Sequence, residues 1–158
     1  GYETVAAEAA GLLQRAETLR QQLTEMVRAD VDAFDQVMGA YGMARDTDAQ
    51  KAERTVAIQA ALKQAADVPL ACAQLCADVI RLTRPMAAIG NKNVISDAGV
   101  AVVAAEAALR SAALNVYVNI GAIKDEAFVA DRRQRLEQIL AGSEQLTEEV
   151  YALVKSRL

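Results

Sequence analysis

The sequence predicts an all-α fold, a long-helix bundle with a buried Ala-rich central helix, expected to be dimeric. Three observations lead there. Hydrophobic residues make up 53% of the chain but aromatic ones only 4%, with no Trp, so the core must be built largely from small and aliphatic side chains that let helix axes come close. Apolar residues recur at spacings of three and four over long stretches. No alternating strand pattern or internal repeat appears anywhere. A chain of 158 residues fits one domain, taken as 1–158.

The first helix is marked by Val5, Ala9, Leu12, Ala16, Leu19, Leu23, Val27, Phe34, Val37 and Tyr41, with no Pro among them. At 1.5 Å per residue it spans roughly 50 Å, which calls for equally long partners. The polar stretch Gly42 to Asp48 is a linker, and Thr47 or Asp48 can cap a second helix running to about Ala66. Asp67-Val68-Pro69 should break the chain, because Pro suits a first helical turn and disfavours helical geometry just before it. A third helix then runs from Pro69 towards Gly90, with Pro85 expected to kink it. Gly90-Asn91-Lys92-Asn93 is a stop, and Ser96 is the expected N-cap of a fourth helix to about Asn119. That helix is apolar almost all round and should be the buried centre. A last amphipathic helix runs from about Asp125 to Leu158 through Phe128, Leu136, Ile139, Leu140, Leu146, Val150 and Leu153.

Charge and composition remove many functions. The net charge is -4 and no Lys/Arg run stands out, so neither nucleic acid nor an anionic membrane is an expected partner. The charge is uneven, and residues 51 to 124 hold eight basic against five acidic side chains, a balance that suits an anionic ligand. Histidine is absent, which removes the commonest general base and metal ligand. Cys72 and Cys76 lie on one helical face and read as small core residues of a reducing compartment, so no metal site is expected. The apolar stretch after Ala98 is interrupted by Glu106, Arg110, Asn115 and Asn119, so the chain is read as soluble and cytoplasmic. There is no phosphate-binding glycine loop, Ser-His-Asp set or CxxC motif.

What remains is a small set of polar residues. Asp97, Ala101, Ala104, Ala108, Ser111 and Asn115 share one helical stripe, with Asn119 one turn on. Structural roles account for each singly: Ser96 caps, Asp97 favours the positive end of the helix dipole, and the Asn amides bridge helices. Glu106 and Arg110 form an i, i+4 ion pair, Arg110 keeping a secondary role towards a carboxylate-bearing ligand. Asp30 falls on an inward stripe with Leu23, Val27, Phe34 and Val37, where a carboxylate needs a partner or a ligand.

Four stretches resemble one family together: Asp30-Val31-Asp32-Ala33-Phe34-Asp35-Gln36-Val37-Met38, Ala66-Asp67-Val68-Pro69-Leu70, Gly90-Asn91 through Ser96-Asp97-Ala98-Gly99-Val100-Ala101, and Leu114-Asn115-Val116-Tyr117-Val118-Asn119. Their residue types, order and spacing are similar to the cyclodeaminase domain of formimidoyltransferase-cyclodeaminase and, more closely, to stand-alone bacterial methenyltetrahydrofolate cyclohydrolases. The resemblance implies an all-helical homodimer that hydrolyses 5,10-methenyltetrahydrofolate to 10-formyltetrahydrofolate, with a tetrahydrofolate derivative as substrate and no tightly bound cofactor. The alternatives are release of ammonia from 5-formimidoyltetrahydrofolate and a non-catalytic helical scaffold. It implies Asp97 as the catalytic carboxylate, with Asp30, Asn91, Ser96, Asn115 and Asn119 around the substrate. Two departures stand out. Relatives carry an upstream helix opened by Pro-Gly-Gly-Gly, missing from this sequence, which begins at Gly1-Tyr2. Met43-Ala44-Arg45 also stands where relatives have Leu-Pro-Lys.

Overall fold

The computed structural model describes residues 5–158. The start at Gly1-Tyr2, where the sequence takes up the family pattern, lies outside the described residues. Helix α1 spans Ala6–Gly42 and α2 Asp48–Ile89; one 3-10 turn, Lys92–Val94, leads into α3, Ile95–Ile120. Helices α4, Glu126–Leu140, and α5, Ser143–Lys155, complete the bundle, and no strand occurs among the described residues. The α2–α3 pair is the most extensive contact, α1 packs along α2, and α4 and α5 close the other side. Ile80, Ile95, Val102, Leu109, Val116, Ile120, Leu136 and Val150 are among the fully buried side chains between them.

The α1–α2 corner forms as its sequence suggests. Thr47 Oγ1 accepts from the Gln50 amide at 3.2 Å while Gln50 Oε1 accepts from the Thr47 amide at 3.0 Å, a reciprocal capping box. The Arg54 guanidinium then donates to the Tyr41 carbonyl at 2.9 Å and lies over the Tyr41 ring, tying the two helix ends together.

The expected break at Asp67-Val68-Pro69 does not occur. Helix α2 runs unbroken through both Pro69 and Pro85. An interior Pro orphans the carbonyl four residues back, here that of Ala65. Asn119, arriving from α3, donates its amide Nδ2 to that carbonyl at 2.7 Å. Asp67 caps nothing; it accepts two hydrogen bonds from Arg132 of α4, at 2.6 and 3.2 Å, under the Phe128 ring that stacks on the guanidinium. Two distant side chains thus hold together a segment that local chemistry would break.

The single C-terminal helix is also corrected. It divides at Ala141-Gly142, where Gly142 adopts φ +75° and turns the chain from α4 into α5. A side chain strains this left-handed conformation, so Gly142→Ala should cost about 1 kcal/mol, measured by urea unfolding at fixed protein concentration.

Helix α3 is not buried all round. Ile95, Gly99, Val102, Ala105, Leu109, Ala112, Val116 and Ile120 form its buried line, and at Gly99 the helix comes so close to α5 that a Cβ would meet the Val154 side chain at 3.1 Å and oblige it to shift. Its other face exposes Val100, Val103, Leu114 and Val118, the last 72% accessible. Helix α1 likewise exposes Val27, Val31, Phe34, Met38 and Tyr41. By length and composition alone, Lys92–Ile120 is apolar enough to cross a membrane.

Candidate functional site

Asp30 lies outside the inward stripe assigned to it. The face of α1 that meets the core carries Leu12, Ala33 and Ala40, with Leu23 and Val37 half-buried, while Val27, Asp30 and Phe34 are exposed. Small residues let α1 settle closely on α2, and the larger apolar ones point away. Asp30 therefore meets no core. It lines an open groove of about 340 Å³ between α1, α2 and α3, and no ion pair to it forms among the described residues.

That groove brings Asp30 together with Asn115, keeps Val27, Ala108 and Ser111 of their stripes beside them, and adds Met26 and the α2 residues, which the sequence did not single out for the site. Val68 and Pro69 form its α2 wall with Cys72; Ser111 and Ala108 stand beside Asn115 on α3; Met26 and Val27 flank Asp30. The signal for the α2 wall was the family-like stretch Ala66 to Leu70, whose one ionisable residue, Asp67, pairs with Arg132 and does not line the groove. Ser111 Oγ donates to the Ala107 carbonyl at 2.8 Å and Asn115 Nδ2 to the Ser111 carbonyl at 3.1 Å, leaving the Asn115 carbonyl oxygen able to accept. Asn119 does not line the groove, but by holding the Ala65 carbonyl it braces the Pro69 wall.

Asn91, Ser96 and Asp97 cluster at the opposite end of α3. Ser96 does not cap it. The N-cap position of α3 is Val94, without a side-chain bond, and Asn91 caps the 3-10 turn before it, its Oδ1 accepting from the Asn93 amide at 3.0 Å. Asp97 lies exposed in the first turn, where the helix dipole favours a negative charge. Arg110 is held elsewhere, by Glu106 as expected and by Glu144 of α5 at 3.4 Å. Among the described residues no group of three or more acidic, Cys or His side chains is placed to hold a metal.

Asp97 and Asn115 share one stripe but not one place. Eighteen residues of helix at 1.5 Å each put about 27 Å between them, more than one reacting centre can bridge. Within one chain, the stripe read from the sequence therefore does not bring the two groups to one reacting centre.

Fold and site together define an all-helical protein with carboxylate and amide groups set along an apolar, small-residue helix. The formiminotransferase-cyclodeaminase family model matches residues 1–138, and the chain belongs to that family. It is 52% identical over 157 residues to methenyltetrahydrofolate cyclohydrolase of Methylorubrum extorquens, covering 99% of this chain and 76% of that protein. It is 37% identical over 119 residues to formimidoyltransferase-cyclodeaminase of Sus scrofa, covering 75% of this chain and 22% of that protein. The crystal structure of formiminotetrahydrofolate cyclodeaminase from Thermotoga maritima superposes with a TM-score of 0.76 at 30% identity, over 100% of this chain and 73% of that one.

Proposed function

We propose that this protein hydrolyses 5,10-methenyltetrahydrofolate to 10-formyltetrahydrofolate. The observation that carries the reading is the 52% identity, over 99% of the chain, to a methenyltetrahydrofolate cyclohydrolase. The chemistry of the site residues supports it. The methenyl bridge is an amidinium cation, which carboxylates attract and which water attacks at carbon. As the C–O bond forms, Asp97 takes a proton from the water; the C–N5 bond then breaks as the new hydroxyl gives up its proton and becomes the C=O, N5 takes up that proton, and the formyl group stays on N10. Amides such as Asn115 steady the hydrated intermediate.

The working unit is a homodimer. The exposed apolar faces of α1 and α3 suit a second copy of the chain, whose helices are equally long. Midway between Asp97 and Asn115, at Glu106, α3 exposes the small residues Ala104, Ala107 and Ala108, which allow close approach of another helix. An antiparallel α3 pair crossing there sets Asp97 beside Asn115 of the partner subunit, which removes the separation of about 27 Å.

The test follows the loss of the methenyl chromophore above its spontaneous hydrolysis. Acceleration by the purified chain, extended upstream to include the glycine-rich segment of its relatives, is the expected result; decay at the background rate sinks the reading. The cyclodeaminase reading is second, favoured by the fold of the Thermotoga maritima neighbour. Ammonia release from 5-formimidoyltetrahydrofolate at a rate matching or exceeding methenyl hydrolysis would put it first.

A further inference from the structure

Two thiols stand one turn apart on the same face of α2, and the groove reaches only one of them. Cys76 is 3% exposed within the core, whereas Cys72 is half-buried and lines the groove opposite Asp30 and Asn115. Residues four apart on an α-helix have Cα atoms about 6 Å apart, inside the window of about 4.4–6.8 Å that a disulfide spans. Their Cβ atoms, about 5–6 Å apart, must come closer, so the helix must yield locally. Just upstream α2 already lacks one main-chain bond, since Pro69 gives no N–H to the Ala65 carbonyl and the Asn119 side chain takes its place.

We propose that Cys72 is a peroxide-reactive thiol and Cys76 its resolving partner, so that oxidation joins them across one turn of α2 and obstructs the groove. The Cys72 thiolate attacks a peroxide oxygen; the S–O bond forms, the O–O bond breaks, and the departing hydroxide leaves as water after taking a proton. Sulfur is oxidised by two electrons and the peroxide reduced. The Cys76 sulfur then attacks the sulfenic acid; the S–S bond forms, the S–O bond breaks, and the hydroxide takes the Cys76 proton to leave as a second water.

The electrostatics of the pair agree with this division. Hydrogen bonding from Cys76 brings the Cys72 thiol down to about 7, against the opposing effects of burial and the Asp30 carboxylate. The same hydrogen bond and burial push the Cys76 thiol far up. The sulfur that lines the groove is the one a peroxide reaches, and the buried Cys76 keeps its proton until it attacks the sulfenic acid. The open groove that Cys72 lines admits a molecule as small as hydrogen peroxide.

The experiment treats the reduced protein with hydrogen peroxide, blocks remaining thiols with N-ethylmaleimide and reads intact and peptide masses. The wild type should lose two hydrogens and both alkylation sites, and dithiothreitol should restore them. Cys76→Ser should stop at a Cys72 sulfenic acid that dimedone traps, and Cys72→Ser should keep Cys76 free to alkylate after denaturation. Two alkylatable thiols in the peroxide-treated wild type, oxidation of Cys72→Ser at the wild-type rate, or chains cross-linked to one another would overturn the assignment. Circular dichroism checks that each variant is folded, and the alkylation rates of the two thiols in unmodified wild type give an independent reading, with Cys72 expected first. Obstruction of the groove rests on the folate reading: methenyl hydrolysis by the oxidised wild type should fall at least tenfold from its own reduced level. The masses decide the thiol chemistry even for a chain inactive on folate.

Discussion

Asp97→Asn is expected to slow methenyl hydrolysis by a hundredfold to a thousandfold, the order that loss of a positioned proton acceptor brings. The substitution keeps size and shape at the first turn of α3, where Asp97 is exposed and carries no packing, so stability should stay within about 0.5 kcal/mol of wild type. Turnover rather than substrate binding should carry most of the loss, because the proton leaves water only as the C–O bond forms. The same variant tests whether the site is shared. Asn115→Ala should also be slow, and in a mixture of the two, random exchange makes half the dimers mixed. Each mixed dimer then holds one site with both native residues and one with neither, so activity should return to about a quarter of wild type. A mixture no better than its components would place the two residues in separate sites, and an unslowed Asp97→Asn would remove the carboxylate from the reaction.

The helices were legible where their signals were local. The sequence offered Thr47 or Asp48 as the cap of α2, and Thr47 takes the role in a capping box with Gln50 that needs only residues three apart. The 3 and 4 spacing also found α1, though not which of its sides the chain buries, and α3 was marked by the stop at Gly90-Asn91 and by an apolar composition that pointed to burial all round. In α1 the core takes Ala33 and Ala40 while Val27 and Phe34 face outward, so counting large apolar residues pointed Asp30 inward. Periodicity records that a face is apolar, not whether its own chain covers it. The turn at Gly142 was missed for a related reason: the apolar positions on either side continue one helical rhythm, and only backbone conformation shows the interruption. At the site, Asp97 and Asn115 were visible as residue types on a stripe, but a stripe has length, and distance along it decides which groups can act on one atom.

The unbroken α2 is the clearest case of a distant residue overruling a local rule, and it yields the second large expectation: Asn119→Ala should destabilise the protein by about 2 kcal/mol. Loss of the amide takes from the Ala65 carbonyl the donor that Asn119 supplies, in a part-buried setting, and an unmade bond of that kind costs about 1–3 kcal/mol. Cavity formation alone predicts a cost that does not depend on residue 69. The bracing account predicts dependence, because Pro69→Ala returns a backbone N–H to the Ala65 carbonyl and makes Asn119 dispensable. In the Pro69→Ala background, Asn119→Ala should therefore cost about 0.5 kcal/mol, giving a coupling of roughly 1.5 kcal/mol in a double-mutant cycle by urea unfolding at one protein concentration. Additive effects would reduce Asn119 to a packing residue. Coupling would give it a functional consequence without substrate contact: Pro69 walls the groove that holds Asp30 and Asn115, so loosening it should raise KM more than it lowers kcat, the opposite balance from Asp97→Asn.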